Sequence, residues 1–313
     1  MKIKFRVPLT LCLSIIFMVG CVGRGGSKGR TEQNSTERKA TFTLPAVPSQ
    51  IVDRQARMDY TADHFWDNYN FTDSLLLADK ETTGQAFATY ASLLGALHKE
   101  KAEESIVKLL SKSFEADSAA FAIFAELFER YFHEPNSPFL NEELYIPALR
   151  FIVEDERIEP INKLRSQFHL EMALKNRVGA EATDFSYLLK DGSRGSLHKI
   201  RADYTILFFN NPDCHDCKRV KEYFAASEIF NSLTQQGKLK ILSLYPDDSY
   251  DLWAAAEYPA IMINGYDKEQ SITQGQLYDL KAIPTLYLLD ADKKVILKDT
   301  TIETIEHFLN QVY

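Results

Sequence analysis

The sequence predicts an N-terminal all-α helical domain followed by a C-terminal α/β domain, and three observations carry that prediction. The chain has 313 residues, more than one hydrophobic core usually organises. From about Ile51 to Arg177 apolar residues recur at spacings of three and four, as they do along one face of a helix. From about Ala182 short continuous apolar runs alternate with helical stretches, which is the pattern of an α/β unit. With 45% hydrophobic residues and only 13 Gly and 11 Pro, both parts can bury a core. The net charge of −8 argues against a nucleic-acid partner.

Taken from the N-terminus, Lys2, Lys4 and Arg6 precede an apolar stretch from Val7 to Val19, the form of a targeting segment. That stretch is shorter than the ~20 residues a membrane span needs. It ends in Met18-Val19-Gly20-Cys21, which resembles the lipobox of bacterial lipoproteins. The resemblance implies a signal peptide over residues 1–20, lipidation of Cys21 and attachment to the cell-envelope membrane. Val22, where aspartate often marks inner-membrane retention, favours the outer membrane, facing the periplasm. Residues 21–50 are rich in Gly, Ser, Thr and charge and read as a tether.

Residues 51–178 form the expected helical domain, with four to six helices. Phe87, Tyr90, Ala91, Leu94 and Leu97 form one stripe; Phe121, Phe124, Ala125, Phe128 and Phe132 form a second after the capping candidate Asp117; Ile161, Leu164 and Phe168 form a third after Pro160. Pro135-Asn136-Ser137-Pro138 breaks the chain between two helices. The aromatic-dense segment from His64 to Asp73 reads as an anchoring helix and its cap rather than the lining of a groove. His98, His133, His169, His198 and His307 stand singly and suggest no ligand set.

Residues 180–313 form the α/β domain. Tyr204–Phe209 suits a strand buried on both faces, Leu239–Leu244 a second and Thr285–Leu289 a third. The Asp290-Ala291-Asp292-Lys293-Lys294 turn leads into Val295-Ile296-Leu297, which is expected to pair with the third strand as a hairpin. Thr300 and Glu303 have capping-box spacing before a last helix bearing Ile302, Ile305, Phe308, Leu309 and Val312.

If Cys12 leaves with the signal and Cys21 is lipidated, only Cys214 and Cys217 remain as thiols. A disulfide spanning so short a gap closes almost no loop, so such a pair points to chemistry more than to stability. In Phe208-Phe209-Asn210-Asn211-Pro212-Asp213-Cys214-His215-Asp216-Cys217-Lys218 a buried strand turns into a helix opening at the first cysteine. The unpaired N–H groups and the positive dipole end of such a helix favour thiolate. Cysteines so placed titrate roughly between 3.5 and 7.5 rather than near 8.5. Cys217, one turn deeper on the same side, can attack a mixed disulfide formed at Cys214.

These residues resemble the thioredoxin superfamily, and within it the membrane-tethered thioredoxin-like proteins of the bacterial periplasm. Ala282-Ile283-Pro284-Thr285, leading into the hairpin, is similar to that family's cis-proline loop. Ala182-Thr183-Asp184-Phe185 with Asp191-Gly192 is similar to the opening hairpin of its peroxiredoxin-like and cytochrome-maturation branches; Asn211, where peroxiredoxins carry threonine, argues against a peroxidase. The preceding helical segment, through Pro135-Asn136-Ser137-Pro138 and Tyr145-Ile146-Pro147, resembles a helical domain of unknown function found ahead of thioredoxin-like domains in certain bacterial lipoproteins.

The resemblance implies a three-layer thioredoxin fold, a central mixed sheet flanked by helices. It also implies a thiol-disulfide oxidoreductase with Cys214 as nucleophile and Cys217 as resolving thiol, Ile283 and Pro284 against the substrate chain, and no cofactor beyond the redox-active pair. Exported cysteine-containing proteins or an envelope electron donor would be its partners. Asp213, His215 and Asp216 are the groups expected to tune the thiols: a protonated His215 favours the thiolate and the two carboxylates oppose it. The chain departs from the family in having Phe208 where thioredoxin buries an acid. A metal is not expected at the pair, because structural zinc needs about four ligands and no further CxxC or paired histidines stand nearby. The competing reading is a binding or scaffold lipoprotein whose helical domain does the work and whose cysteine pair is structural.

Overall fold

The computed structural model describes residues 42–313, so the signal segment 1–20, Cys21 and most of the tether lie outside the described residues. Seven helices come first: α1 Arg54–His64, α2 Ser74–Ala78, α3 Lys80–Leu94, α4 Lys99–Ala116, α5 Ser118–Phe132, α6 Glu142–Glu154 and α7 Pro160–Ala173. Periodicity gave four to six because α2 is a single turn, too short for a hydrophobic period to register. Aspartates bound it. Asp73 accepts from the N–H groups of Leu75 and Leu76, while Asp79 ends α2 and caps α3 by accepting from Thr82 N–H at 3.0 Å. Asp117 caps α5 and Pro160 opens α7, as expected.

The aromatic segment after α1 is the hub of the helical core. Trp66 lies with its ring centre 5.0 Å from those of Phe65 and Phe124 and 5.4 Å from those of Tyr69 and Tyr90, all buried. Two of the three apolar stripes face this core. The third does not: Ile161, Leu164 and Phe168 are 69%, 58% and 47% exposed. Helix α7 packs on α6 and buries Met172 and Ala173 instead, and periodicity identifies a stripe without saying whether anything covers it.

The sheet contains β1 Ser186–Leu188, β2 Arg194–Ser196, β3 Tyr204–Phe209, β4 Leu239–Tyr245, β5 Met262–Tyr266, β6 Thr285–Leu289 and β7 Val295–Leu297, in the order β2-β1-β5-β4-β3-β6-β7. Strands β3, β4 and β5 run parallel, and β6 returns antiparallel beside β3. Four more helices follow β3: α8 His215–Ala226, α9 Glu228–Gln235, α10 Tyr250–Ala255 and α11 Ile302–Val312. Alternation along the strands divides the core. Ile206, Phe208, Ile241, Leu286 and Leu288 meet Phe224 of α8, Phe230 of α9 and Ile305 of α11, while Leu207, Phe209, Leu242, Tyr287 and Leu289 face Phe185, Leu197, Ile272 and Tyr278. This is the helical region followed by a thioredoxin fold that the sequence predicts.

Two local features depart from the simplest reading. Helix α11 is capped by Thr301, whose Oγ1 accepts from Thr304 N–H at 3.3 Å, one residue later than the Thr300 and Glu303 spacing suggested. Thr300 N–H is already given to Leu286 O at 3.2 Å, which ties that residue to β6. In the opening hairpin, the Tyr187 ring lies on two glycines of the flanking strands: a Cβ on Gly195 would stand 2.3 Å from it, and one on Gly265 3.0 Å.

Candidate active site

Strand register brings the two distant motifs together. Phe209 at the end of β3 pairs with Thr285 at the start of β6, so the chain leaving β3 and the chain entering β6 meet at one end of the sheet. There Cys214 is the N-cap of α8: its Sγ accepts from Cys217 N–H at 3.1 Å and lies 3.7 Å from Ile283 O, to which the thiol donates. The Ile283–Pro284 peptide bond is cis, and Thr285 Oγ1 donates to Ala282 O at 2.6 Å, bracing the loop from its far side.

The two cysteines, both free thiols, occupy different surroundings. Cys214 is half-buried and reachable, whereas Cys217 is fully buried against the core of α8. Burial pushes the Cys217 thiol up to about 12, reinforced by its bond to Cys214; the backbone of Asn211 and the charge of Lys221 act in the opposite direction. One sulfur therefore faces solvent and the other is held as a thiol until something draws its proton.

Asp213, His215 and Asp216 all lie on the exposed rim. Asp216 is bound by the Arg219 guanidinium at 2.7 Å, which holds its carboxyl below the usual range, and His215 Nδ1 stands 3.6 Å from it. Arg219 thus compensates the charge expected to oppose a thiolate. Phe208 fills its position with a buried ring 5.8 Å from that of Phe224. A neutral network lies on the neighbouring residues: buried Asn210 donates through Nδ2 to Ser243 Oγ at 2.8 Å and accepts at Oδ1 from Tyr258 Oη at 2.9 Å. Burial, and then the charge of Cys217, push the Tyr258 hydroxyl up. Lys221 Nζ lies 4.7 Å from the centre of the Tyr258 ring.

Sequence reasoning did not single out Arg219, Lys221, Asn210 or Tyr258. The first two stand at helical spacings from Asp216 and Cys217, a readable signal. Tyr258 reaches the site through a fold contact that no local pattern announces.

Beside the cis-proline loop a cluster of buried charges joins the helical region to the sheet. Lys281 Nζ lies 2.5 Å from Glu142, 2.7 Å from Asp299 and 3.0 Å from Asp279, and Lys298 Nζ lies 2.6 Å from Glu142. Burial works against the Lys281 charge, but the three carboxylates outweigh it and raise its pKa. Donor atoms of His133, Glu142 and Asp279 also lie within 4.8 Å of one another, in a spacing that suits a metal. The Lys281 ammonium already stands between two of these carboxylates and supplies the positive charge a cation would bring. His133 is not solitary as expected: its ring centre is 4.4 Å from that of His169, because the end of α5 faces α7, and burial lowers both, His133 to about 4.

The profile of a domain of unknown function (DUF5106) matches residues 20–176. A thioredoxin-like protein from Bacteroides caccae is similar over 88% of this chain and 100% of its own, with 42% identity and a TM-score of 0.84. The C-terminal domain of an uncharacterised protein from Bacteroides fragilis is similar over 43% of this chain and 98% of its own, at 47% identity and a TM-score of 0.42. None of the curated proteins matches the chain.

Proposed function

The chain belongs to the family of thioredoxin-like proteins that carry the domain of unknown function DUF5106, and on that basis we propose that it exchanges dithiols and disulfides through Cys214 and Cys217. The observation that carries the reading is the placement of Cys214 Sγ at the helix N-cap, bonded by Cys217 N–H at 3.1 Å and 3.7 Å from Ile283 O. Loss of a proton from Cys214 leaves a sulfur already receiving a backbone N–H, at the positive end of α8.

In the reducing direction, the Cys214 thiolate attacks one sulfur of a substrate disulfide. A Cys214–substrate bond forms, the substrate S–S bond breaks, and the second substrate sulfur leaves as thiolate and takes a proton. Cys217, once deprotonated, attacks Cys214 Sγ; the Cys214–Cys217 disulfide forms and the remaining substrate sulfur leaves. Two electrons pass to the substrate, and the oxidising direction is the reverse. Ile283 and Pro284 shape the surface against which the substrate chain lies. With Cys21 lipidated, the reaction would take place on exported proteins at the outer membrane's periplasmic face.

The test is the reduction potential of the pair, equilibrated against glutathione and dithiothreitol, together with two variants. Cys214→Ser is expected to abolish insulin reduction, and Cys217→Ser to accumulate mixed disulfides. Activity unchanged in Cys214→Ser would overturn the reading. A potential near about −270 mV would mark a reductant and one near about −120 mV an oxidant.

A further inference from the structure

The Pro135–Pro138 turn lies far from the cysteines in sequence, yet it lines the same cleft as the Ala282–Thr285 loop and Asp216. The cleft has a volume of about 570 Å³, within the range of roughly 300–1,000 Å³ typical of ligand sites. The turn between α5 and α6 lines it, as do Thr301 and Thr304 at the start of α11.

The turn has a fixed shape. Ser137 N–H donates to Glu134 O at 3.0 Å, Ser137 Oγ accepts from Phe139 N–H at 3.2 Å, and Asn141 N–H donates to Phe132 O at 3.1 Å. Its distance from the cis-proline loop is fixed as well, because Glu142, just beyond the turn, holds Lys281, just before the loop, in a nearly dry ion pair. Asn136 is exposed on this turn.

The geometry points to the Pro135–Pro138 turn as a second wall of the substrate groove, so that the helical region selects which polypeptides reach Cys214. The occupant is an extended stretch of polypeptide flanking the reacting cysteine. The charge of the cleft favours this over a small anionic thiol: Lys281 is the only cation among the lining residues, and three carboxylates already engage it. What remains is the Asp216 carboxylate, the hydroxyl and amide groups of Ser137, Asn136 and the threonines, and the apolar Leu140, Ile283 and prolines, a mixture that suits a peptide chain and repels an anion. This inference rests on the exchange chemistry proposed above.

The test compares two disulfides, hydroxyethyl disulfide and insulin, reduced by the whole protein. Asn136→Trp narrows the cleft from the helical region and Thr304→Trp from the start of α11, both at exposed positions. Each is expected to slow insulin reduction by at least about tenfold while leaving hydroxyethyl disulfide within about twofold of wild type. Equal rates with insulin in wild type and Asn136→Trp, or an equal fall with both disulfides, would overturn the second wall. No reduction of hydroxyethyl disulfide by wild type would instead overturn the exchange chemistry, and this inference with it.

Discussion

Glu142 and Lys281 meet at 2.5 Å across 139 residues of sequence, with both side chains more than nine-tenths buried. One begins α6 and the other leads into the cis-proline loop, so this ion pair, within the charge cluster, helps tie the helical region to the candidate active site. Removing one partner of a buried pair leaves an uncompensated charge, at a cost of about 3–5 kcal/mol. Lys281→Met is therefore expected to lower stability by an amount in that range in urea denaturation. A loss below about 1 kcal/mol would show the cluster to be solvated.

The inequality of the two thiols is directly measurable. At neutral pH, of the Cys214–Cys217 pair in the reduced protein only Cys214 is expected to take up iodoacetamide, because Cys217 is buried and its thiol is pushed up to about 12. Mass spectrometry of tryptic peptides reads the outcome, and prompt double labelling in the folded state would contradict it. The shift also has a stability consequence. The folded state keeps its proton above the ordinary thiol value of 9.0, where the unfolded chain has lost it, so this thiol's contribution to stability is present below 9 and is lost as pH rises through about 12.

Lys221 is the cation that opposes the upward shift of Cys217. Lys221→Met is expected to slow release of substrate from the Cys214 mixed disulfide and to move the pH dependence of that step upward. Lys221→Arg is expected to retain most of the wild-type profile. A Lys221→Met protein with an unchanged pH profile would leave the lysine no part in resolution.

Glu143 is held by Arg177 at 2.8 and 2.6 Å and by Lys99 at 2.8 Å, which brings its carboxyl down to about 2 from 4.5. Its contribution is present above 4.5 and is lost as pH falls through 2. Because the side chain is about one-third exposed, screening reduces the value to roughly 1–2 kcal/mol. Glu143→Gln is expected to lose that much at pH 7 and to flatten the acid limb of the stability profile, as followed by thermal unfolding at stepped pH.

Much of the fold was legible because the chain writes its buried strands plainly. Tyr204–Phe209, Thr285–Leu289 and Val295–Leu297 are found at the expected residues, each an unbroken run of apolar or aromatic side chains apart from its threonines. Strand β5 was not legible, because Asn264 and Gly265 interrupt it. Both residues answer to tertiary contacts: Asn264 accepts from Trp253 Nε1 at 2.8 Å, and Gly265 makes room for the Tyr187 ring. The cysteine pair and the Ile283–Pro284 loop announced themselves by motif. The Tyr258, Asn210 and Ser243 network did not, since its members belong to three separate segments that only the fold assembles.

Both outer strands of the sheet have three residues. At one margin, Arg194 of β2 pairs with Glu269 at 3.1 Å. At the other, the segment joining the helical region to the sheet lies along β7: Gly179 N–H donates to Val295 O at 2.8 Å, Val295 N–H to Ala180 O at 2.9 Å and Ala182 N–H to Lys293 O at 2.8 Å. Exposed strand margins are templates on which other chains polymerise. Here, among the described residues, one margin is short and charged and the other is covered by the chain's own connection, so neither offers another chain a long uncharged template.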